Sequence, residues 1–348
     1  MSSQSLYHTF QRYRTLGTNR ISALPIVILM PHSACNCRCV MCDIWKNNRH
    51  AQQLNEEDIS GLLGALKRFG TRQVVMSGGE ALLHGNFFRL CALLKKTGVR
   101  ITLLSTGLTL KKNADRLPEY VDDLIVSLDG DESTHDYIRQ INGAFGKLRE
   151  GVLYLKSIQP SFPISSRTVI HRLNYEKWPA IIETAKEMGI DKVSFLPADV
   201  SSTAFNRQVP WEPQRQSEIA LHTDDLPRLE AVLEELFRNY RQAFDSRFIA
   251  ESMDKLYQIH TYYAALLGMA SFPYRKCNAP WVSAVIEADG SVRPCFFHQP
   301  IGNIREENLS QVLNGRKGMQ FRKQLDMSAN DTCRRCVCSL HLSPHTAP

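Results

Sequence analysis

Short apolar runs alternate with amphipathic stretches between residue 26 and about residue 200 of this 348-residue chain. The stretches between the runs have helical periodicity, and Gly70, Gly98 and Gly189 follow three of them, where a helix would end. The strand-like runs are residues 26–30, 73–76, 100–104, 124–128, 164–170 and 192–196. This alternation predicts an α/β fold with a parallel sheet and right-handed crossovers. Six strands indicate an open or partial barrel, whose chemistry should lie at the carboxyl ends of the strands.

Nine of the ten cysteines fall into groups, and only Cys91 stands alone in an apolar helical pattern. The groups are Cys35, Cys37, Cys39 and Cys42; Cys277 and Cys295; and Cys333, Cys336 and Cys338. Ten cysteines in 348 residues are too few for a disulfide scaffold. The N-terminus has no apolar core of a secretory signal, and no apolar run approaches the length of a membrane span. We therefore expect a cytoplasmic protein whose grouped thiols bind metal or take part in catalysis.

The first cysteine group follows the first predicted strand directly. Cys35, Cys39 and Cys42 have a spacing that can hold three corners of a [4Fe–4S] cluster, which leaves one iron open. Zinc is the alternative, because a closed structural zinc site needs four ligands and Cys37 could supply the fourth. The spacing alone leaves both readings open.

Residues 35–42 resemble the CxxxCxΦC motif of the radical SAM superfamily, in which Φ is usually aromatic and here is Met41. Further segments that resemble family landmarks follow the next three predicted strands in order. They are Ser77-Gly78-Gly79-Glu80, Ser105-Thr106-Gly107 and Ser127-Leu128-Asp129-Gly130, followed by residues 135–145 with Arg139. Met41 and Gln140, which stands where the family has a glycine, depart from the pattern.

The resemblance implies a [4Fe–4S] cluster that binds S-adenosylmethionine (SAM) through its open iron, with Cys35, Cys39 and Cys42 as the metal ligands. It also implies reductive cleavage of SAM to a 5′-deoxyadenosyl radical that abstracts a hydrogen atom from the substrate. Glu80 would meet the SAM ammonium and Arg139 its carboxylate, through charge-assisted hydrogen bonds. The expected cofactor-binding residues are Met41, Ser77, Gly78, Gly79, Glu80, Ser105, Thr106, Ser127, Asp129 and Arg139.

The later cysteines resemble the SPASM/twitch extension of the same superfamily. The resemblance assigns the ligands of an auxiliary [4Fe–4S] cluster to Cys277, Cys295, Cys333 and Cys336. A full SPASM domain has seven cysteines and two clusters, whereas five lie here, which favours the single-cluster twitch form. Asp289-Gly290 between two strand-like runs predicts a hairpin. Zinc remains the alternative metal for a site of four thiolates.

Four segments are expected from these patterns. They are an N-terminal extension (1–24), a partial (β/α)6 barrel of the radical SAM type (25–200), a helical connection (201–269) and a small twitch/SPASM-like domain (270–348).

The expected function is radical oxidation of a polar, carbohydrate-like or natural-product small molecule, with the auxiliary cluster as electron acceptor. One alternative is an epimerase in which Cys338 returns a hydrogen atom. Another is a ribosomal-peptide maturase, although the roughly 25 residues before the first strand are fewer than a leader-binding module of ~50 residues needs. A zinc-stabilised binding protein is the most distant reading, because it leaves the Glu80 and Arg139 landmarks without a role.

The net charge of +7 is concentrated at the two ends of the chain. Residues 1–50 have six basic and one acidic side chains, and residues 315–348 have six and two, so the ends contribute +5 and +4. The sequence has no long basic stripe with interleaved aromatic residues, which is the pattern typical of nucleic-acid binding. A nucleic-acid partner is therefore not expected. These ends hold the first and last cysteine groups, and we expect them to balance anionic clusters and to dock an acidic electron donor such as flavodoxin or ferredoxin.

Overall fold

A computed structural model describes residues 6–348 of the chain. One mixed sheet of nine strands runs through this part, in the order β6-β5-β4-β3-β2-β1-β7-β8-β9. The strands are β1 (Ile26–His32), β2 (Gln73–Gly78), β3 (Arg100–Ser105), β4 (Asp123–Ser127), β5 (Ile164–Ile170), β6 (Lys192–Pro197), β7 (Ser283–Ile286), β8 (Ser291–Arg293) and β9 (Gly302–Asn303). The first six are parallel neighbours in chain order, as the strand–helix alternation predicts. The sheet is not closed, so the expected partial barrel is confirmed.

Helices fill the crossovers between the strands and the segment after β6. The α-helices are α1 (Leu6–Thr18), α2 (Glu56–Arg68), α3 (Phe87–Lys95), α4 (Leu110–Asn113), α5 (Leu117–Tyr120), α6 (Glu132–Arg139), α7 (Ala144–Ile158), α8 (Trp178–Glu187), α9 (Pro213–Ile219), α10 (Leu226–Asn239), α11 (Arg241–Asp245), α12 (Met253–Leu266), α13 (Ala279–Val282), α14 (Leu309–Asn314), α15 (Arg316–Gln324) and α16 (Asp331–Arg334). Short 3₁₀ helices span Ile44–His50, Ala81–Leu83, Tyr175–Lys177 and Thr223–Asp225. Among the described residues, none of these helices has the length and apolar character to cross a bilayer.

The strands have one face against the helices and one face toward a cavity. Residues such as Val74, Met76, Ile101 and Leu103 are fully buried beneath the helices. The residues between them in sequence point to the opposite face, because side chains alternate along a strand. In β5 this produces a strict alternation of buried and partly exposed positions. The cavity therefore lies on the concave face of the parallel sheet.

The C-terminal part adds three strands to the same sheet. β7 pairs in parallel with β1, and β7, β8 and β9 then follow as antiparallel neighbours. The predicted hairpin is present between β7 and β8, with Gly290 at φ +88° in its turn. This conformation favours glycine because it has no Cβ. The later cysteines are thereby brought to the barrel on its β1 side.

Candidate active site

The first cysteine group lies in the loop that leaves β1, which we call the cysteine loop (residues 33–43). Helix α6 holds this loop, because the backbone N–H groups of Arg38 and Val40 donate to the carbonyls of Arg139 and Ile138, each at 3.0 Å. The amide of Asn48 holds its start by donating to the carbonyl of Cys35 at 2.8 Å. The loop geometry is therefore set by protein contacts on both sides.

The thiols of the cysteine loop differ in their surroundings. The pKa of Cys39 is lowered to about 7, chiefly by hydrogen bonding with Cys37 and also by the nearby Arg139. Burial raises the pKa of Cys42 to about 12. Cys37 is buried and hydrogen-bonds to both Cys35 and Cys39, so the extra thiol lies between two of the expected ligands.

The glycines after β2 let its backbone approach the cysteine loop. A Cβ on Gly79 would lie 2.2 Å from the carbonyl oxygen of Ala34, and one on Gly78 would lie 2.7 Å from that of His32. Gly78 also has φ +117°, a conformation that side chains disfavour. The backbone N–H of Glu80 donates to the Ala34 carbonyl at 2.9 Å. Two glycines are thus required for β2 and the cysteine loop to pack together.

Glu80 is a buried carboxylate at the carboxyl end of β2, only 1% exposed. It accepts hydrogen bonds from the Ser105 hydroxyl at 3.0 Å and from the Thr106 backbone N–H and hydroxyl at 2.6 and 2.7 Å. Burial raises its pKa, and the bonds from Thr106 act in the opposite direction. These contacts bring three expected cofactor-binding residues together from the ends of β2 and β3, and their donors favour the charged carboxylate that a cationic ammonium would need.

Asp129 and Arg139 form a buried ion pair beside the cysteine loop. The carboxylate accepts from Arg139 Nε and Nη2, each at 2.6 Å, and the two side chains are 0% and 8% exposed. Arg139 Nη1 also lies 3.4 Å from Cys39 Sγ. The guanidinium thus faces a carboxylate on one side and an expected cluster ligand on the other.

Two buried histidines surround this pair, and our sequence reasoning gave them no role. His135 Nδ1 accepts from the Asp129 backbone N–H at 3.2 Å, and His171 Nδ1 accepts from the Leu173 N–H at 3.3 Å. Each imidazole therefore has its proton on Nε2 if neutral, and burial lowers both pKa values to about 4. Neither Nε2 has a hydrogen-bond partner within residues 6–348, and neither has Asp129 Oδ1. Such orphaned buried atoms beside the cysteine loop leave hydrogen-bonding capacity for a bound group.

Residues 199–215, which we call the strap, pack against the outer side of the cysteine loop. The sequence patterns did not predict this contact. Asp199 and Arg207 form a buried ion pair at 2.9 Å. The Arg207 guanidinium lies 3.9 Å from the Trp211 ring centroid, and Trp211 Nε1 donates to Asp43 at 2.7 Å. Arg215 donates to the carbonyl of Val40. The strap therefore adds cationic and aromatic cover next to Cys42.

The later cysteines gather on one wall of the cavity. Cys277 precedes α13, Cys295 follows β8, and Cys333 and Cys336 lie in and after α16. Burial raises the pKa of Cys295 to about 12 and that of Cys333 to about 11. Thiols in such surroundings stay protonated at neutral pH unless a metal displaces the proton. His298, which sequence reasoning also missed, places Nε2 3.3 Å from Cys333 Sγ.

The thiols of the two cysteine groups are the residues available to hold metal. Across residues 6–348, no group of three or more His, Cys, Asp or Glu side chains is arranged around one metal ion. The donor sets, three thiols in the first group and four in the second, are those that [4Fe–4S] clusters use.

One cavity of about 710 Å³ lies between the parallel sheet and the later cysteine group, and none of the described residues of the cysteine loop lines it. At one end it reaches Ser77 at the end of β2, and at the other it is lined by all four later ligand candidates and by Cys338. Most of the remaining wall is aliphatic or aromatic, with side chains such as Met30, Leu104 and Phe297. Three arginines and no Asp or Glu line it among the described residues.

Of the expected cofactor-binding residues, only Ser77 lines this cavity in the described part of the chain. Met41 is buried in the cysteine loop, and Ser127 ends β4 two residues before Asp129. Arg167, in contrast, is a cavity residue that we did not single out from sequence. The sequence did contain a signal for this role, because Arg167 is a charged residue within a strand-like run. It shares one face of the strand with Ser165 and Val169, since side chains alternate along a strand.

Comparison with known proteins is consistent with this geometry. Residues 29–185 match the model of the radical SAM superfamily, and residues 277–337 match that of the SPASM iron–sulfur cluster-binding domain. The Fe-coproporphyrin III synthase of Methanosarcina barkeri is 24% identical over 90% of this chain and 80% of its own length. The AdoMet-dependent heme synthase of the same organism is 26% identical over 80% of this chain and 79% of its own. The structure of Streptococcus suis SuiB bound to precursor peptide SuiA superposes with a TM-score of 0.65, at 16% identity, over 96% of this chain and 76% of that chain.

Proposed function

Because this chain belongs to the radical SAM superfamily and has a C-terminal SPASM iron–sulfur domain, we propose that it oxidises a substrate with a large apolar body, bound in the cavity that runs from Ser77 to the later cysteine group. The two domains imply a [4Fe–4S] cluster with SAM and an auxiliary iron–sulfur centre. Cys35, Cys39 and Cys42 would hold the first, and Cys277, Cys295, Cys333 and Cys336 the second.

The bound cofactors would supply a 5′-deoxyadenosyl radical that takes a hydrogen atom from the substrate, after which one electron passes to the auxiliary centre and one proton to solvent. The residues of this chain would orient the reactants. Glu80, held by Ser105 and Thr106, presents a carboxylate where an ammonium would bind. Arg139, held by Asp129, presents its guanidinium beside Cys39.

The continuity of the cavity carries this proposal. Oxidation needs a substrate that lies within reach of the SAM-binding strand ends and of an electron acceptor. The same cavity touches Ser77 and all four later ligand candidates, so one bound molecule could meet both requirements. An auxiliary cluster with a purely structural role would not need to face this cavity.

The residues that line the cavity change the substrate class that we expect. Its mostly aliphatic and aromatic lining favours an apolar body over the carbohydrate-like molecule expected from sequence. The names of two relatives, Fe-coproporphyrin III synthase and AdoMet-dependent heme synthase, denote large products with extended apolar rings. These names support the same substrate class without identifying the substrate.

Epimerisation is the second candidate, because Cys338 lines the cavity beside the later cysteines. It is exposed, and its backbone carbonyl accepts from the Cys336 thiol at 2.6 Å. A thiol at this position could return a hydrogen atom to a substrate radical. The product would then have the mass of the substrate.

An anaerobic reconstitution tests both candidates. We expect about eight irons per chain and release of 5′-deoxyadenosine with SAM and dithionite. Addition of Fe-coproporphyrin III or an apolar precursor peptide should stimulate this release and yield a product that lacks two hydrogens. The Cys295→Ser variant should lose about half of the iron and the oxidised product, while the matched Cys91→Ser variant should retain both.

Three results would count against oxidation. Zinc in place of iron would remove its chemical basis. A product that has the mass of the substrate in ordinary water and gains one deuterium in deuterated water would favour epimerisation, provided that the Cys338→Ser variant stops the deuterium incorporation. A fully active Cys295→Ser variant would show that the second cluster takes no part in the reaction.

A further inference from the structure

Arg167 projects from the middle of a sheet strand into the cavity. It lies in β5, where its Cα pairs with Ser127 of β4 on one side and with Ser194 of β6 on the other. The neighbours in sequence, Ser166 and Thr168, are fully buried on the opposite face. Arg167 is half-buried and lines the cavity, two residues before the aliphatic Val169, which lies on the same face.

No protein group neutralises this guanidinium within the described chain. Arg167 belongs to none of the ion pairs of residues 6–348, and its Nε is buried without a hydrogen-bond partner. No Asp or Glu side chain lines the cavity among these residues. An arginine stays protonated in proteins, so its charge must be met by a bound anion or by water.

The other two arginines of the cavity have different roles. Arg275 donates to the carbonyl of Val337 at 3.2 Å and lies near Cys336, so it faces the later cysteine group. Arg334 is exposed and lies 3.8 Å from Asp331. Both belong to segments that contain the cysteines, where their charge would balance thiolates. Arg167 belongs to the barrel wall, on the side where the substrate would lie.

We propose that Arg167 binds a carboxylate of the substrate, so that the substrate combines an apolar body with a carboxylate group. This inference rests on the proposed function, because it places the substrate in the cavity. A guanidinium fork matches one carboxylate through two parallel hydrogen bonds. A phosphate usually recruits several donors, whereas Arg167 is the single charged donor on the sheet side of the cavity among described residues. Arg139 occupies the corresponding place beside the cysteine loop, so the SAM carboxylate has a separate candidate partner.

Binding of a matched pair of probes tests this assignment without turnover. The reconstituted, SAM-bound protein would be titrated anaerobically by calorimetry with 1-naphthaleneacetate and with its neutral isostere, 1-naphthaleneacetamide. We expect the wild type to prefer the carboxylate. We expect Arg167→Met to weaken carboxylate binding by about tenfold or more and to leave the amide unchanged, because a charge-assisted hydrogen-bond pair is lost. Arg167→Lys should recover part of the preference, and the control Arg228→Met, at an arginine that is 71% exposed and does not line the cavity, should change neither affinity more than about twofold.

The assignment would be overturned by a wild type that does not prefer the carboxylate, including one that binds neither probe. It would also be overturned if Arg167→Met weakened both probes equally, or if Arg228→Met had the same effect. A loss of SAM affinity in Arg167→Met would assign the residue to the cofactor instead. None of these measurements depends on oxidation, so they can fail while 5′-deoxyadenosine release and product formation succeed, and the reverse.

Discussion

Removal of one partner from the Asp129–Arg139 ion pair should destabilise the protein far more than the same change in an ion pair on the surface of the sheet. Asp129→Asn keeps the shape of the side chain and removes its charge, which leaves a nearly buried guanidinium without its counter-ion. Two charges about 4 Å apart interact by about 4 kcal/mol at an effective dielectric constant of about 20. Removal of one partner of a buried pair costs about 3–5 kcal/mol in general. We therefore expect the free energy of unfolding to fall by about 3–4 kcal/mol.

A surface pair at the start of β4, the strand that ends just before Asp129, supplies the control. Asp123 at the start of β4 pairs with Arg100 at 3.1 Å, but that arginine is 62% exposed, so Asp123→Asn should cost no more than about 1 kcal/mol. Guanidinium denaturation, followed by circular dichroism and by cluster absorbance at matched iron content, would compare the two variants. With a slope of roughly 5–6 kcal/mol per molar, the Asp129 variant should lose about 0.5–0.8 M from its midpoint. Equal midpoints for the two variants would refute the reasoning from burial.

Three further predictions concern the loop geometry and the later cysteines. Gly79→Ala should weaken SAM binding at least tenfold in calorimetry, because its Cβ would lie 2.2 Å from a backbone oxygen of the cysteine loop, whereas Gly85→Ala, with nothing within 4 Å, should bind SAM normally. Gln140→Gly should raise the unfolding free energy by about 0.5–1 kcal/mol in denaturant titration, because Gln140 ends α6 at φ +54°; a loss of stability would contradict this. Cys336→Ser should lose about half of the iron and Cys338→Ser none, and iron analysis that reverses this order would exchange their roles.

Local patterns predicted the barrel well because each strand and helix has a recognisable pattern of apolar and polar residues within a short stretch of sequence. The run 164–170 coincides with β5, and the helix that begins after Asn55 has the complete capping box of Asn55 and Asp58. The landmarks after β2, β3 and β4 converge because parallel strands end on the same edge of a sheet. Their assignment to SAM contacts stays a prediction.

Contacts between residues that are far apart in the sequence could not be predicted from local patterns. The parallel pairing of β1 with β7 joins residues 26 and 283, and no local pattern specifies it. The strap contacts depend on where residues 199–215 return, so the stacking of Arg207 on Trp211 had no sequence signal. His171 is likewise fully buried, although it stands directly after the end of β5 and its neighbours in sequence give no sign of this.

The position of β1 also determines what happens if the later segment is missing. β1 lies between β2 and β7, and its sequence IVILMPH is almost entirely apolar. Without residues 283–286, β1 is an edge strand whose backbone donors and acceptors are unpaired on one side. Such an edge is a template for association with other chains. A version cut before residue 270 would therefore aggregate rather than survive as a smaller SAM-cleaving enzyme. Loss of the auxiliary site is thus better studied by single cysteine substitutions than by deletion, because the last strands protect the first.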